Sequence, residues 1–341
     1  MNSPICNNLL TSVCFNSSYI GITYCTLTNA TNGLGWCKVS DEIFDGTNVN
    51  WEKFFDVRDK EIELMQKGTP REECRNCQQI YSQEWNNDRQ VHYILLSTWQ
   101  VCNSNCIYCL GHIDPLPENS PFYNQHYKNN IEPYNVLDIV KDMVKHNILA
   151  KDAKIDFAGG EPTMYPKFDE LLNFFIDNGF KNIIIHTNNI QYSEAIARGI
   201  KQNAVSLMIS IDAGSKKCHK LVKRVDSFDK VWKNFKTYSK QRTNLYDKKL
   251  STKYVIVPNC NDSKKEIEEF IKNSRKNGAT QVAFNVYNQL LNEMNYETSL
   301  LYGLVDLTNF AIKKAKDNKI KIELFPNIEY VYQKLNLKVE L

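Results

Sequence analysis

Short apolar runs of five to eight residues recur along the second part of the chain. VHYILLSTW (91–99), KIDFAGG (154–160), KNIIIHTN (181–188), SLMISIDA (206–213), TKYVIVPN (252–259) and TQVAFNVY (280–287) are rich in β-branched and aromatic residues. Runs of this length, bounded by Gly, Pro, Asn or Asp, predict strands. Between them the apolar period changes to that of a helix. VLDIVKDMVKHNI (136–148), FDELLNFFIDNGF (168–180), DKVWKNFKTYSK (229–240) and SKKEIEEFIKNSRKNG (263–278) predict helices. The last opens with Ser263 and Glu266 as a capping box and closes at Asn277–Gly278. Six strands alternating with helices predict an α/β fold built on a parallel sheet. The alternation fits a doubly wound sheet and a barrel equally well. A further helix near 299–316, the strand IKIELF (320–325) and a short tail follow.

Residues 1–90 differ in character. They are weakly periodic, loop-rich and dense in cysteine. The predicted organisation is therefore a Cys-rich segment at 1–90, an α/β core at 91–295 and a C-terminal α/β extension at 296–341. A chain of 341 residues is long enough for about two domains. The formal charge of +3 is too small to indicate nucleic acid or an anionic membrane as a partner. The N-terminus has no basic and apolar pattern of a signal peptide, and no run reaches the roughly 18 apolar residues of a membrane span. The expected compartment is the cytosol.

That compartment bears on the eleven cysteines, nine of which precede residue 110. In a reducing compartment they point to metal binding or redox chemistry rather than to a disulfide scaffold. Three of them, Cys102, Cys106 and Cys109, fall in CNSNCIYC (102–109), directly after the first core strand. Functional residues of parallel α/β folds gather at the C-terminal ends of strands. Three thiolates on a four-iron cluster leave one iron open to a further ligand. The bland alternative is a structural zinc site completed by His112 or a distant cysteine. GGEPTMYP (159–166) ends the second strand, where Gly159 and Gly160 admit a ligand close to the backbone and Glu161 can accept from an ammonium group. Ser210 and Asp212, two apart at the end of the fourth strand, are expected to share a face and suit a ribose diol. Thr187 and Asn188 end the third strand. Each of these residues is also an ordinary strand-end or turn residue.

The CxxxCxxC spacing with Tyr108 before the last cysteine, the GGEPT stretch and SIDAGSKKCHKLVKRVDSFDKVWKNF (210–235) together resemble the radical SAM superfamily. The resemblance covers roughly residues 90–290. It implies a partial (β/α)6 TIM-like barrel and a [4Fe–4S] cluster on Cys102, Cys106 and Cys109. It also implies S-adenosylmethionine bound with Gly159, Gly160 and Glu161 at its amino group. Ser210 and Asp212 would lie at the ribose, Arg224 at the carboxylate, and Tyr108 and Asn188 close to the cofactor. One electron would cleave the sulfonium to a 5′-deoxyadenosyl radical that abstracts hydrogen. A low-potential donor such as flavodoxin or ferredoxin is the implied partner.

In the N-terminal segment, Cys14, Cys25 and the CxxC of Cys74 and Cys77 form a four-ligand set for zinc or a second cluster by spacing alone. Their order resembles the SPASM or twitch auxiliary-cluster module, here preceding the barrel. Ser17–Gly21 departs from the usual hairpin of that module. Cys6 and Cys37 are further thiols that could replace one of the four. Cys260, in VPNCND after the fifth strand, is a candidate hydrogen donor to a substrate radical, although an isolated loop thiol is the commoner reading. Cys218, His186 and His219 read as structural. The expected substrate is a peptide or protein segment. The rivals are a sugar or nucleotide-sugar dehydrogenated or epimerised by the same radical, and a non-catalytic metal-binding scaffold.

Overall fold

The computed structural model describes residues 3–6, 9, 11–16, 21–25, 39–71, 74–75, 80–83, 88–109, 134–243, 249–287 and 298–339. The predicted ligands Cys37 and Cys77, and His112, lie outside the described residues. The chain divides into two compact units. One holds residues 1–101 and 116–183, the other residues 102–115 and 184–341.

In the first unit, β1 (Ser3–Cys6) pairs antiparallel with β4 (Ile80–Gln83). A larger, mostly parallel sheet contains β2 (Ser12–Asn16), β3 (Ile22–Thr23), β5 (Val91–Ser97) and β6 (Leu149–Phe157) in the order β6-β5-β2-β3. The N-terminal segment is thus not set apart at residue 90. β2 lies parallel to the first core strand, with Cys14 opposite Leu95, and all five of its residues are buried or nearly so. β3 closes on β2 antiparallel. The helix α1 (Trp51–Gln66) fills much of the region read as loop. Asn50 caps it by accepting from the Lys53 N–H at 3.1 Å. Trp51, Phe54, Phe55, Ile62 and Met65 form its buried face, and Tyr24 stacks on Phe54 at 4.4 Å. α2 (Val136–Lys145) and α3 (Phe168–Asp177) complete the unit. Phe157, Phe168, Phe175 and Phe180 pack edge to face at 5.3–6.2 Å.

In the second unit the strands run β7 (Ile183–Thr187), β8 (Val205–Ser210), β9 (Leu250–Ile256), β10 (Gln281–Val286) and β11 (Lys321–Leu324), adjacent in that order. The β8–β9, β9–β10 and β10–β11 pairs are parallel. The residues beyond 296 therefore extend the sheet. Helices α4 (Glu194–Lys201), α5 (Lys216–Lys223), α6 (Phe228–Ser239), α7 (Lys264–Lys276), α8 (Thr298–Asp317) and α9 (Pro326–Lys334) follow their strands. Tyr254, Phe270 and Phe284 join β9, α7 and β10 at 4.9–5.7 Å. β8 alternates strictly: Val205, Leu207 and Ile209 are buried, while Ser206, Met208 and Ser210 are half-buried on the other face.

The capping box at Ser263 is half present. Ser263 accepts from the Glu266 N–H at 3.3 Å. The Glu266 carboxylate does not return to it. It accepts instead from the N–H groups of Gly214 (2.8 Å) and Ser215 (2.9 Å) and from the Ser215 hydroxyl (2.6 Å). It thereby meets the unpaired donors and positive end at the start of α5.

Candidate active site

The cysteine loop begins the second unit. Two backbone bonds tie it to the end of α5: Asn105 N–H to the Lys223 carbonyl (3.1 Å) and Ile107 N–H to the Val222 carbonyl (3.0 Å). Cys109 N–H returns to the Cys106 carbonyl at 3.1 Å, closing a turn. Cys102, Cys106 and Cys109 are all half-buried. Two donors point at the Cys102 sulfur, the Ser104 N–H at 3.4 Å and the Asn188 amide at 3.5 Å. The same amide reaches Asn103 Oδ1 at 2.6 Å and Ser104 Oγ at 3.2 Å. Asn188, placed just past the end of β7, therefore organises the start of the loop.

Half-buried Tyr108 of the loop meets a buried pair, Asp212 and Lys223. Tyr108 donates to Asp212 Oδ2 at 2.5 Å, and Lys223 Nζ sits 2.5 Å from that same oxygen and 2.9 Å from the Tyr108 hydroxyl. The other carboxylate oxygen, Asp212 Oδ1, accepts the Val255 N–H at 2.7 Å. Asn261 donates to the Asp212 carbonyl at 2.8 Å. Burial pushes the Asp212 pKa up, but Lys223, Lys253 and the hydrogen bonds outweigh it and hold the carboxyl below the usual range. Burial and the Asp212 charge drive the Tyr108 phenol well above its ordinary value, so it stays protonated. Lys223 is held well above its ordinary value by Asp212 against the opposing effect of burial.

This placement revises the expected ribose pair. β8 ends at Ser210, and Asp212 turns into the left-handed region at φ +58°, so the two-residue alternation no longer applies. Ser210 keeps its half-buried face; Asp212 is fully buried with both oxygens engaged inside the protein. Arg224 is exposed at the left-handed C-cap of α5. Its neighbour Lys223, missed in the sequence, is the buried cation. Helical spacing alone gives no sign of it, because its burial depends on Asp212 from another strand.

In the first unit, GGEP packs against residues 97–101. Glu161 N–H donates to the Val101 carbonyl at 2.8 Å and Gly160 N–H to Gln100 Oε1 at 3.4 Å. Gly159 has φ +78°, and a Cβ on Gly160 would stand 2.5–2.6 Å from the backbone of Gln100 and Val101. Glu161 is 1% exposed and caps the short turn Pro162–Met164, accepting from Thr163 N–H (3.3 Å) and Oγ1 (2.6 Å). Gln100 and Ser97 are thus parts of this corner that the motif did not reveal.

Cys14 is fully buried in β2, and burial with Cys25 nearby pushes its thiol far up. Cys25 is half-buried and Cys74 is buried in a turn after α1. Cys260, like Ile107 and Tyr108, packs against the buried cluster of Ala213, Cys218 and Val222. The Cys218 thiol donates to the Cys260 carbonyl at 3.8 Å and is pushed up to about 12 by burial. Among the described residues no three His, Cys, Asp or Glu side chains converge as a single-ion site. One zinc ion needs its sulfurs about 4 Å apart, given a Zn–S bond of about 2.3 Å. A cluster binds each thiolate to a different iron and spaces them more widely. Three half-buried thiols on one loop, with N–H donors directed at Cys102, fit such a cluster.

The Radical SAM superfamily model matches residues 96–273, more than half of the chain. This chain belongs to the radical SAM superfamily. That family implies an enzyme with a [4Fe–4S] cluster and S-adenosylmethionine. Among curated relatives, GTP 3',8-cyclase of Haemophilus influenzae is 24% identical over 184 residues, covering 54% of this chain and 50% of its own. The radical SAM cyclopropyl synthase TigE of Paramaledivibacter caminithermalis is 27% identical over 180 residues, 51% of this chain and 37% of its own. The chain spans about half the length, or less, of these relatives. Among solved structures, Streptococcus suis SuiB bound to its precursor peptide SuiA shares the fold. Its TM-score is 0.51 at 15% identity, covering 85% of this chain and 66% of that one. No described helix is long and apolar enough to cross a membrane.

Proposed function

We propose that this radical SAM enzyme abstracts a hydrogen atom from a peptide or protein segment. The observation that carries the reading is the Cys102–Cys109 loop, with three thiols at spacings of three and two and with amide donors directed at the Cys102 sulfur. When bound, the cluster and S-adenosylmethionine supply a 5′-deoxyadenosyl radical. Cys102, Cys106 and Cys109 are the proposed ligands. Gly159, Gly160 and Glu161 are proposed for the methionine amino group, Ser210 for the ribose and Arg224 for the carboxylate. Asn188 orients the loop, and Tyr108 braces it from below. Cys260 is the hydrogen-donor candidate. An auxiliary cluster on Cys14, Cys25, Cys74 and Cys77 belongs to the same proposal, as does a flavodoxin or ferredoxin donor.

The peptide substrate is supported by the fold likeness to SuiB, whose bound partner is a precursor peptide. A second reading, a nucleotide-derived substrate, is favoured by relatives named GTP 3',8-cyclase. The test is anaerobic reconstitution of the wild type and of a variant with Cys102, Cys106 and Cys109 all changed to Ala. About eight irons falling to about four, with 5′-deoxyadenosine formed only by the wild type, is the expected result for one radical and one auxiliary cluster. Wild-type protein that takes up no iron and forms no 5′-deoxyadenosine overturns it in favour of a zinc scaffold. Stimulation of 5′-deoxyadenosine by GTP or UDP-sugars, but not by a synthetic peptide library, would select the second reading.

A further inference from the structure

The two sides of α5 differ sharply. Cys218, His219, Val222 and Lys223 are buried. Lys217, Lys220 and Leu221 are exposed, and Arg224 continues them at the C-cap. Steps of three, four and seven residues place these in one line along the helix. Leu221 is 52% exposed. A single exposed leucine is ordinary on a surface; here it stands in a row of cations. Among the described residues, Lys217, Lys220 and Arg224 make no ion pair. The acids close to α5 are committed elsewhere. Asp226 and Asp229 hold Lys216 at 3.4 and 3.0 Å, Asp212 holds Lys223, and the Glu266 carboxylate accepts from Gly214 and Ser215. The stripe is therefore a local excess of positive charge around one apolar side chain.

Its place in the fold gives it a use. The same helix holds the cysteine loop. Val222 and Lys223, the two residues after Leu221, accept the N–H groups of Ile107 and Asn105 through their carbonyls. Those two donors flank Cys106, a proposed cluster ligand. Ile107 and Tyr108 also pack on the buried cluster that contains Val222. A short covalent and hydrogen-bonded route thus joins the exposed stripe to the loop. Electron-transfer partners meet in small, transient interfaces, where complementary charge supplies the encounter rate and the orientation. Cations lined up beside one leucine match an acidic rim around a small apolar contact.

We propose that the Lys217–Lys220–Leu221 stripe of α5 is the docking surface for an acidic protein that donates single electrons. The proposal rests on the ligand assignment and the class of donor given above. The step moves one electron and no atom. The flavin or iron–sulfur centre of the donor is oxidised by one electron, and the cluster on Cys102, Cys106 and Cys109 is reduced by one.

The test uses the full chain reconstituted anaerobically as wild type, as Lys217→Glu with Lys220→Glu, and as Lys217→Gln with Lys220→Gln. Arg224 is left intact because it is assigned to the methionine carboxylate. Iron content and unfolding midpoint should match in all three, since the changed side chains are exposed. The probes are an acidic flavodoxin and an acidic ferredoxin, both oxidised, with binding read by titration calorimetry at low and high salt. Wild-type affinity should fall as salt rises. At low salt the double Glu variant should bind about tenfold or more weakly, with the double Gln variant between and both less sensitive to salt. Formation of 5′-deoxyadenosine driven by dithionite, which needs no docking, should be equal in all three. Driven by the reduced donor protein, it should show a raised KM for the donor in the variants. Should the Glu variant lose iron, the Gln variant decides. Equal donor binding by wild type and variants overturns the proposal. Loss of the dithionite-driven reaction in iron-replete variants overturns it too, since the lysines would then serve the chemistry itself. So does a wild type that dithionite drives but that binds neither donor. Weaker binding of a single-stranded RNA oligonucleotide by the variants, with donor binding unchanged, would overturn it in favour of a nucleic-acid surface. A wild type that takes up no iron and forms no 5′-deoxyadenosine with dithionite instead sinks the ligand assignment, and the proposal with it.

Discussion

Lys223 Nζ lies 2.5 Å from Asp212 Oδ2, with the two side chains 2% and 0% exposed. The pair joins the last turn of α5 to the end of β8, and Tyr108 of the cysteine loop rests on both. Breaking such a pair leaves a buried charge without its partner, which costs more than the pair contributes when intact. Lys223→Met is therefore expected to destabilise the fold by about 3–5 kcal/mol. Lys223→Met combined with Asp212→Leu should recover part of that loss. Urea unfolding of the apoprotein measures both, and a double variant no better than the single one would refute the pairing as the cause.

The same pair sets an acid limb. Asp212 has its pKa depressed in the folded state, so its contribution is complete above the ordinary carboxylate value of about 3.9. It is lost as pH falls through the lower folded value. His219 acts in the same direction for another reason. Burial, then Lys223, pull its pKa down to about 4, and its ring packs edge-on to Phe228 at 5.6 Å. The unfolded chain takes up the His219 proton near pH 6.5, so stability falls as pH drops from about 6.5 toward about 4. His219→Phe should flatten that part of the stability profile and leave the steeper loss at lower pH. An unchanged slope between pH 6.5 and 4 would show that His219 does not titrate there.

How much of this could be read in the sequence depends on the range of the forces involved. The six core strands were legible because each is a short apolar run between turn residues, and β5 to β10 appear where those runs predict. Their ends were less legible. The run 206–213 continues in apolar character to Ala213, but β8 stops at Ser210 because Val255 and Lys223 hold Asp212 in a left-handed turn. Local pattern has no access to that cause. For the same reason Lys223 is indistinguishable in sequence from the exposed lysines around it in SKKCHKLVKR. β2 is not legible as a strand in the weakly periodic segment 1–90 because its partner, β5, lies about eighty residues away. The cysteine loop and GGEP were legible because their chemistry is carried by residue type and spacing. Their supports come from other segments, Asn188 for the cysteine loop and Gln100 for GGEP.

Asn188 supplies a measurable part of that support. Its amide donates to the Cys102 sulfur, Asn103 and Ser104, and its carbonyl oxygen accepts the Ile190 N–H at 3.0 Å. Asn188→Ala removes these and leaves buried partners unsatisfied, a loss of about 1–3 kcal/mol. Reconstituted Asn188→Ala should lose iron faster than the wild type on exposure to a chelator. Equal rates of loss would show that the loop holds its shape without the amide.

Gly160 tests the first unit independently of any metal. A methyl group there would stand 2.5 Å from the Gln100 carbonyl carbon and 2.6 Å from two carbonyl oxygens. These are backbone atoms and cannot rotate aside. Either residues 97–101 move away, breaking the Glu161 N–H bond to Val101, or the GGEP turn shifts. Overpacking of this kind costs about 1–3 kcal/mol. Gly160→Ala should therefore lower the unfolding midpoint and weaken S-adenosylmethionine binding, read by equilibrium dialysis. Gly179, unlike Gly160 positive in φ but with open space around its Cβ position, is the control: Gly179→Ala should show only the strain of its φ of +83° and leave binding unchanged. If Gly160→Ala binds S-adenosylmethionine as the wild type does, the close approach at residue 160 serves packing alone and the assignment of this corner to the methionine amino group fails.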